Sequence, residues 1–183
     1  MVEDEATIVG TTQSGVAYGH DATNLLDGKG IDGILNGCAH TFENSLLVRW
    51  FSLELDATRT VTRVQIARRS DCCEHQGQNV KITIGPSRVY DANEALCRPE
   101  VPNLDHGGLI DYPCLGSLNR GKYVKISKSV GGALVLCEVK VFVNDQAKYM
   151  CQMDQKWHRK QEDSDLTCSC KYHNGQLLRQ DAL

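Results

Sequence analysis

Residues 68–73 (RRSDCC) combine residue types that could bind a small polar ligand: guanidinium groups, a carboxylate and two adjacent cysteines. Consecutive Cα atoms lie about 3.8 Å apart, whereas an ordinary disulfide joins Cα atoms roughly 4.4–6.8 Å apart. Cys72 and Cys73 therefore form a strained bond to each other, pair elsewhere, or stay reduced. A bond between neighbours closes no loop that would stabilise a fold. It would present a rigid apolar surface beside Arg69, which suits a sugar that rests its CH groups on sulfur and accepts hydrogen bonds.

The overall composition narrows the class of protein. The chain has 183 residues, 41% of them hydrophobic, and a formal net charge of −3. This length fits one domain of ordinary size with an appendage. The near-neutral balance, without a basic patch interleaved with aromatic residues, argues against nucleic acid as a partner. No apolar run approaches about 18 residues, so we expect no membrane insertion.

The cysteine content favours an oxidising, extracellular setting, and hence a secreted protein. Nine cysteines are many for a cytosolic chain of this size. The first residues (MVEDE) are acidic and do not resemble a signal peptide, so we expect that peptide to be missing from a mature or partial chain. The odd count leaves at least one thiol free or bonded to another chain, which allows a homo-oligomer or a multidomain context.

The elements that must position these residues are β-strands. Residues 79–85 show the clearest pattern, because Val80, Ile82 and Ile84 alternate with polar neighbours. Similar runs occupy residues 50–55, 60–69, 123–127 and 132–144. Such runs, separated by turn residues, predict an all-β sandwich or barrel. We expect loops and short strands over residues 1–37 and a long, proline-containing loop insert over residues 86–120.

The character of the chain changes near residue 145. We therefore predict one domain over residues 1–145 and a polar, cysteine-containing tail over residues 146–183. The tail could be helical, disordered, or part of another small module. Its cysteines and histidines could also be considered as zinc ligands, but their spacing fits no common pattern. These residues are Cys151, His158, Cys168, Cys170 and His173.

Five separated motifs occur in a fixed order over residues 6–144. They are Asn24-x-x-Asp27-Gly28, Cys38-Ala39-His40-Thr41, Arg69-Ser70-Asp71-Cys72-Cys73, Gly121-Lys122-Tyr123-Val124 and Leu136-Cys137-Glu138-Val139-Lys140-Val141. Together they resemble the F-type lectins, the fucose-binding domains known from eel agglutinin and many invertebrate proteins. The resemblance implies a jelly-roll β-sandwich with a sugar pocket formed by loops at one end. It also implies the disulfides Cys38–Cys137, Cys72–Cys73 and Cys97–Cys114.

The resemblance implies a carbohydrate-binding set comprising His40, Arg69, Asp71, Cys72, Cys73 and Gln76. Arg69 would donate to the ring oxygen and a hydroxyl, and His40 would donate or accept at an axial hydroxyl. The disulfide would lie under an apolar sugar edge, while Asp71 would orient Arg69. Gln76 departs from the family, which has a basic residue there. Exchanging a charged donor for a neutral one would cost about 1 kcal/mol, a several-fold loss of affinity.

The resemblance also implies a structural calcium ion beneath the binding loops. Its ligands would come from Asn24, Asp27, Lys29, Gly37, Cys137 and Glu138. Asp27 and Glu138 would supply carboxylates and the others backbone carbonyls, a mixed oxygen set that Ca²⁺ accepts. Glu138 could alternatively be an ordinary surface carboxylate.

Two functions remain open for such a domain. The first is a calcium-supported lectin that recognises terminal L-fucose on microbial or self glycans, in innate immunity or cell adhesion. The second, favoured by Gln76, is a diverged adhesion or protein-interaction module on the same fold. We expect no enzymatic activity, because no nucleophile motif with its base and no evident pair of acid and base carboxylates is present.

Overall fold

The structure is a computed structural model. It describes residues 3–43, 48–91, 94–105, 108–115, 119–129, 131–144, 171–173 and 176–178. The chain divides into two compact units, Met1–Asn144 and Asp145–Leu183. The described helices are all short 3-10 turns, and none of them is long and apolar enough to cross a membrane.

The first unit is built from antiparallel β-strands, which confirms the predicted all-β class. The strands are β1 (Asp4–Glu5), β2 (Ile8–Gln13), β3 (Ala39–His40), β4 (Arg49–Arg68), β5 (Gln78–Gly85), β6 (Ala95–Asn103), β7 (Ile110–Pro113), β8 (Arg120–Lys128) and β9 (Val135–Val143). One sheet has the order β2-β4-β8-β5-β6. In the other, β9 pairs with β1, β3 and β4, and β4 also pairs with β7.

Strand β4 belongs to both sheets. Its first half pairs with β8, from Arg49 opposite Lys128, and its second half pairs with β9, up to Arg68 opposite Leu136. The change of sheet coincides with an irregularity between Glu54 and Arg59. Only residues 129–134 separate β8 from β9, so both ends of β4 lie at the same end of the sandwich. The segments before and after β4 therefore meet there.

The core lies between the two sheets. Alternate residues of β4, among them Phe51, Leu53 and Ile66, are buried in one cluster with residues of β5, β8 and β9. Fully burying a side chain of this type contributes about 1.5–3 kcal/mol. This core supports the end of the sandwich at which the candidate residues gather.

The prediction of a loop insert over residues 86–120 is wrong in part, because β6 and β7 lie within it. Proline removes a backbone donor and is confined to sheet edges, strand ends and bulges. Pro99 and Pro102 lie in β6, whose only partner among the described strands is β5, and Pro113 ends β7. The runs at 50–55 and 60–69 also belong to one strand rather than two.

In the second unit, β10 (Lys171–His173) pairs with β11 (Gln176–Leu178) in an antiparallel manner. The other tail positions considered as zinc ligands, Cys151, His158, Cys168 and Cys170, lie outside the described residues. The nature of the tail therefore stays a prediction.

Candidate functional site

His40 is held firmly at the end of the sandwich. It lies in β3 opposite Val135 of β9 and is only 5% exposed. Its Nδ1 lies 2.7 Å from the Thr41 carbonyl oxygen, so Nδ1 carries the proton and donates. Burial, more than the nearby His20 and Arg69 charges, lowers the pKa of His40 from its usual 6.5. The ring is therefore neutral near pH 7, and its Nε2 can accept a hydrogen bond from a hydroxyl.

Arg69 follows β4 directly and is oriented by Asp71. Its Nε donates to Asp71 Oδ1 at 2.5 Å and its Nη2 donates to Oδ2 at 3.0 Å. This bidentate geometry fixes the plane of the guanidinium. The hydrogen bonds from Arg69 hold the pKa of Asp71 below its usual value, so the pair stays ionised. Asp71 thus occupies one edge of the guanidinium, and Nη1 makes no hydrogen bond to the residues that the structure describes.

The two adjacent cysteines are bonded to each other. The Cys72–Cys73 disulfide spans Cα atoms 3.8 Å apart, and the Cys72 side is exposed to solvent. Cys73 has φ of 63°, in the left-handed region that non-glycine residues rarely occupy. It caps the 3-10 turn Glu74–Gly77, and its carbonyl accepts from Gln76 N at 2.9 Å. The predicted sulfur surface is therefore present directly after the Arg69–Asp71 pair.

The loop with Arg69 is attached to a second loop through Ser70. Ser70 N donates to the Gly33 carbonyl at 2.9 Å, and its hydroxyl donates to the Asp32 carbonyl at 3.0 Å. Gly33 has φ of 74°, and a Cβ there would lie 2.5 Å from Ser70 Oγ. Only glycine allows this close approach, which ties the loop of Arg69 to the segment that contains the predicted calcium ligands.

Three of the predicted backbone ligands converge around Gly30. A Cβ on Gly30 would lie 1.9 Å from the Cys137 carbonyl oxygen and 2.3 Å from that of Gly37. A Cβ on Gly37 would lie 3.0 Å from the Lys29 carbonyl oxygen. The Cys38–Cys137 disulfide holds the two sides of this arrangement together. The chain therefore gathers carbonyl oxygens in the place where the sequence predicts a cation.

Glu138 and Asp27 add carboxylates to the same region. Glu138 is 4% exposed, so it is not a surface carboxylate, and its Oε2 accepts from Gly28 N at 2.9 Å. Burial raises the pKa of Glu138 from its usual value, and the charge of Asp27 raises it further. Two neighbouring carboxylates of this kind favour a bound cation. Asn24 differs in that its side-chain amide donates to the Cys38 carbonyl at 2.9 Å.

No three His, Cys, Asp or Glu side chains among the described residues are clustered for metal binding. A cation here would therefore depend on the backbone oxygens as well as on Asp27 and Glu138.

Comparisons with known proteins agree with this geometry, although no family model matches the chain. Fucolectin-3 of Anguilla japonica is 30% identical over 127 residues, which cover 67% of this chain and 66% of that protein. The chain belongs to the F-type lectin family. Fucolectin-3 is named as a lectin, in agreement with the expectation that the domain is not an enzyme.

Solved structures show the same fold. A serum fucolectin from Morone saxatilis (striped bass) has a TM-score of 0.65 at 24% identity, and the match covers 76% of this chain and 49% of that one. A Streptococcus pneumoniae fucose binding module has a TM-score of 0.59 at 25% identity, with 76% and 96% covered. The chain thus spans less than two thirds of Fucolectin-3 and about half of the striped bass chain. The jelly-roll β-sandwich implied by the sequence is confirmed.

Gln76 of this F-type lectin domain lies inward rather than on an open surface. It is 8% exposed and is part of the turn that Cys73 caps. Its side-chain oxygen Oε1 is buried and has no hydrogen-bond partner among the described residues. A contact between Gln76 and sugar stays a prediction.

Sequence reasoning missed Lys128, which supports that same turn. Lys128 is 1% exposed, and its ammonium group donates to the His75 carbonyl. Burial, with a smaller effect from the charge of Arg49, lowers the pKa of Lys128 to about 8. The sequence does contain a pattern that indicates the burial of Lys128: Val124 and Ile126 face the core, and Lys128 is the next residue of that alternation.

Sequence reasoning also missed Tyr18, whose ring meets the His40 ring edge-on. Tyr18 lies in a polar, glycine-containing segment without any periodic pattern. Its position beside His40 depends on the tertiary fold, so no sequence signal indicated it.

Proposed function

We propose that this domain binds terminal L-fucose of glycans at the end of the sandwich that contains His40 and Arg69. The observation that carries the proposal is the Cys72–Cys73 disulfide placed directly beside the Arg69–Asp71 ion pair. A deoxy sugar has an apolar edge and several hydroxyls, so it needs both an apolar surface and oriented donors. The bacterial fucose binding module and the eel fucolectins, named for fucose, support the same ligand class.

Each group has a role that follows from its surroundings. Arg69 donates to the ring oxygen and a hydroxyl, and Asp71 orients it without touching the sugar. Neutral His40 accepts a hydrogen bond from a sugar hydroxyl through Nε2, since Nδ1 already donates to the Thr41 carbonyl. Cys72, which is an exposed residue, places its sulfur under the apolar edge of the sugar. Gln76 supplies at most a neutral hydrogen-bonding group at the position where the family has a basic residue.

Titration calorimetry with methyl α-L-fucoside tests this function. We expect saturable binding with a weak dissociation constant, because few charged donors contact a small ligand. Methyl α-D-mannoside serves as the control sugar and is expected not to bind. A folded protein that binds neither sugar would instead support the second candidate, an adhesion or protein-interaction module, which the buried neutral Gln76 favours.

We also propose that a Ca²⁺ ion is held by Asp27, Glu138 and the carbonyl groups of Asn24, Lys29, Gly37 and Cys137. The convergence of backbone oxygens around Gly30 and the burial of Glu138 support this set. When bound, the ion would neutralise both carboxylates and join the loop of Gly30 to β9. Because Ser70 is hydrogen-bonded to Asp32 and Gly33, this loop also supports Arg69.

Removing calcium with a chelator is expected to lower the melting temperature and weaken fucoside binding. Saturation at about a hundred times the dissociation constant stabilises a protein by about 2.7 kcal/mol, equivalent here to roughly 8 °C. Differential scanning calorimetry with and without EGTA measures the shift, and added Ca²⁺ should restore it. Glu138→Gln should abolish the response, whereas Glu54→Gln, in a surface ion pair, should leave it intact. An unchanged melting temperature in EGTA would contradict the calcium proposal.

We further propose that the protein is secreted and recognises fucosylated glycans on microbial or self surfaces. The three disulfides in the first unit support an oxidising environment. A homo-oligomer or a multidomain context, through the tail cysteines, stays a prediction.

A further inference from the structure

The disulfide bonds of the first unit differ in how far their cysteines are buried. Cys38, Cys137 and Cys97 are completely buried. In contrast, Cys72 is an exposed residue and Cys73 is half-buried. A thiolate that breaks a disulfide must reach one of its two sulfur atoms. The bond between Cys72 and Cys73 is therefore the most accessible of the three to a reductant.

The fold also protects these bonds to different degrees. A bond that stabilises the folded chain is itself stabilised by folding to the same extent, because the two equilibria are linked. Loop entropy makes this protection about a hundredfold for Cys97–Cys114, whose cysteines are 17 residues apart, and larger for Cys38–Cys137, whose separation is 99. Cys72–Cys73 joins neighbours and closes no loop, so it gains no such protection. Cys114 is half-buried too, but its bond is protected by the fold.

The Cys72–Cys73 bond holds the backbone of the candidate sugar site. Cys73 has φ of 63°, in a region that is unfavourable for a residue with a Cβ atom. From this position Cys73 caps the turn Glu74–Gly77, and its carbonyl accepts from Gln76 N at 2.9 Å. Opening the bond lets Cys73 return to a commoner backbone conformation, which releases the cap. It also replaces the rigid sulfur surface after Arg69 by two separate thiols.

We propose that Cys72–Cys73 is a site of thiol–disulfide exchange with dithiols, and that its reduction weakens sugar binding while the fold remains intact. The effect on sugar binding rests on the proposed fucose function. The exchange itself depends only on the accessibility of this bond and on its independence of the core.

The reduction takes two steps. One thiolate of the dithiol attacks the Cys72 sulfur, and Cys73 leaves as a thiolate that takes a proton from water. The second thiolate of the dithiol then attacks the dithiol's own sulfur in the mixed disulfide, and Cys72 leaves and is protonated in the same way. The dithiol loses two electrons and becomes a cyclic disulfide, while the protein gains two thiols.

A monothiol is a poor reductant at this site. After a monothiol has attacked Cys72, the Cys73 thiolate lies next to the mixed disulfide. It attacks the Cys72 sulfur, which restores the original bond and expels the monothiol. A dithiol carries a second thiol of its own, which competes with Cys73 and completes the reduction. The chemistry of the site therefore selects dithiols.

Peptide mapping after graded reduction tests the exchange without any sugar. The folded full chain is equilibrated with mixtures of reduced and oxidised dithiothreitol, alkylated with iodoacetamide and digested with trypsin. Cleavage after Arg69 and Lys81 releases residues 70–81, whose only cysteines are Cys72 and Cys73. We expect half-reduction of this pair at a ratio of reduced to oxidised reagent about a hundredfold lower than for Cys97–Cys114. Glutathione at the same thiol concentration should leave the pair closed.

Calorimetry with methyl α-L-fucoside measures the effect on sugar binding. In the mixture that opens only Cys72–Cys73, we expect affinity about five- to tenfold weaker than for the oxidised protein, and reoxidation should restore it. Cys72→Ser/Cys73→Ser should bind as weakly as the reduced protein and should not respond to the dithiol. It should melt within about 2 °C of the wild type, because no loop is opened. Cys97→Ala/Cys114→Ala, which lacks a different disulfide, is the matched control and should keep the response.

Reduction of Cys97–Cys114 at the same ratio as Cys72–Cys73, or at a lower one, would overturn the proposal. An unchanged fucoside affinity after both thiols have formed would overturn it as well, as would equal opening of the pair by glutathione. An oxidised wild type that binds no fucoside would instead refute the proposed function, and the effect on sugar binding with it. The order of reduction is judged separately, from the mass of the peptide alone.

Discussion

Replacing Arg69 by alanine is expected to weaken fucoside binding by about a hundredfold or more. Two hydrogen bonds from a charged donor contribute about 1.5–3 kcal/mol each, and each 1.4 kcal/mol is about tenfold in affinity. The substitution also leaves the Asp71 carboxylate without its partner, next to the position of the neutral sugar hydroxyls. Calorimetry with methyl α-L-fucoside measures the loss, and circular dichroism verifies the fold.

The chain provides a matched control for this substitution. Arg59 makes the same kind of bidentate pair, with its Nε and Nη2 donating to Asp56 at 3.1 and 2.6 Å. That pair lies where β4 changes sheet, at the end of the sandwich away from His40. Arg59→Ala is therefore expected to keep the fucoside affinity within about twofold. Comparable losses in both variants would show that Arg69 acts through the fold and would remove it from the sugar site.

The double substitution Cys38→Ala/Cys137→Ala is expected to cause the largest loss of stability. The bond links residues 99 apart in sequence, for which loop entropy gives about 4.7 kcal/mol, or roughly 15 °C in melting temperature. Both cysteines are completely buried, so the two cavities add to the loss. Thermal unfolding followed by calorimetry measures the effect.

The Cys97–Cys114 bond is the internal reference for this measurement. It links residues 17 apart, for which the same calculation gives about 3 kcal/mol. The Cys97→Ala/Cys114→Ala protein should therefore melt at a higher temperature than the Cys38→Ala/Cys137→Ala protein. The reverse order would show that loop entropy does not govern these two bonds. Fucoside binding should also fall more without Cys38–Cys137, because His40 and the carbonyl groups around Gly30 adjoin that bond.

The strands with strict alternation could be predicted from the sequence. Residues 79–85 and 123–127 lie within β5 and β8, since each alternation presents one face to the core. Strands β6 and β7 could not be predicted in this way. Their prolines resemble loop residues, and at a sheet edge the outer backbone needs no strand partner. The continuity of β4 was also hidden, because its irregular middle interrupts the apolar pattern.

Only those residues of the candidate site that lie in or beside short sequence motifs could be predicted from the sequence. His40 and Arg69 were indicated by their neighbours in the resemblance, and the structure places both at one end of the sandwich. The inward position of Gln76 and the supporting role of Lys128 depend on how the turn Glu74–Gly77 packs on β8. The position of Tyr18 beside His40 depends on two backbone hydrogen bonds, from Ala17 N to the His40 carbonyl and from His40 N to the His20 carbonyl. Such long-range contacts have no local pattern, so a single sequence does not indicate them.

Strand β4 passes from one sheet to the other and returns to the same end of the sandwich, so its two ends lie on opposite sides of the core. The strand begins soon after His40 and ends just before Arg69, so the gap between the two groups follows the thickness of the hydrophobic core. Enlarging a core side chain such as Phe51 or Ile66 would therefore increase the distance between His40 and Arg69, and shrinking it would decrease that distance. Ligand preference in this domain is therefore open to adjustment by substitutions that never touch a sugar.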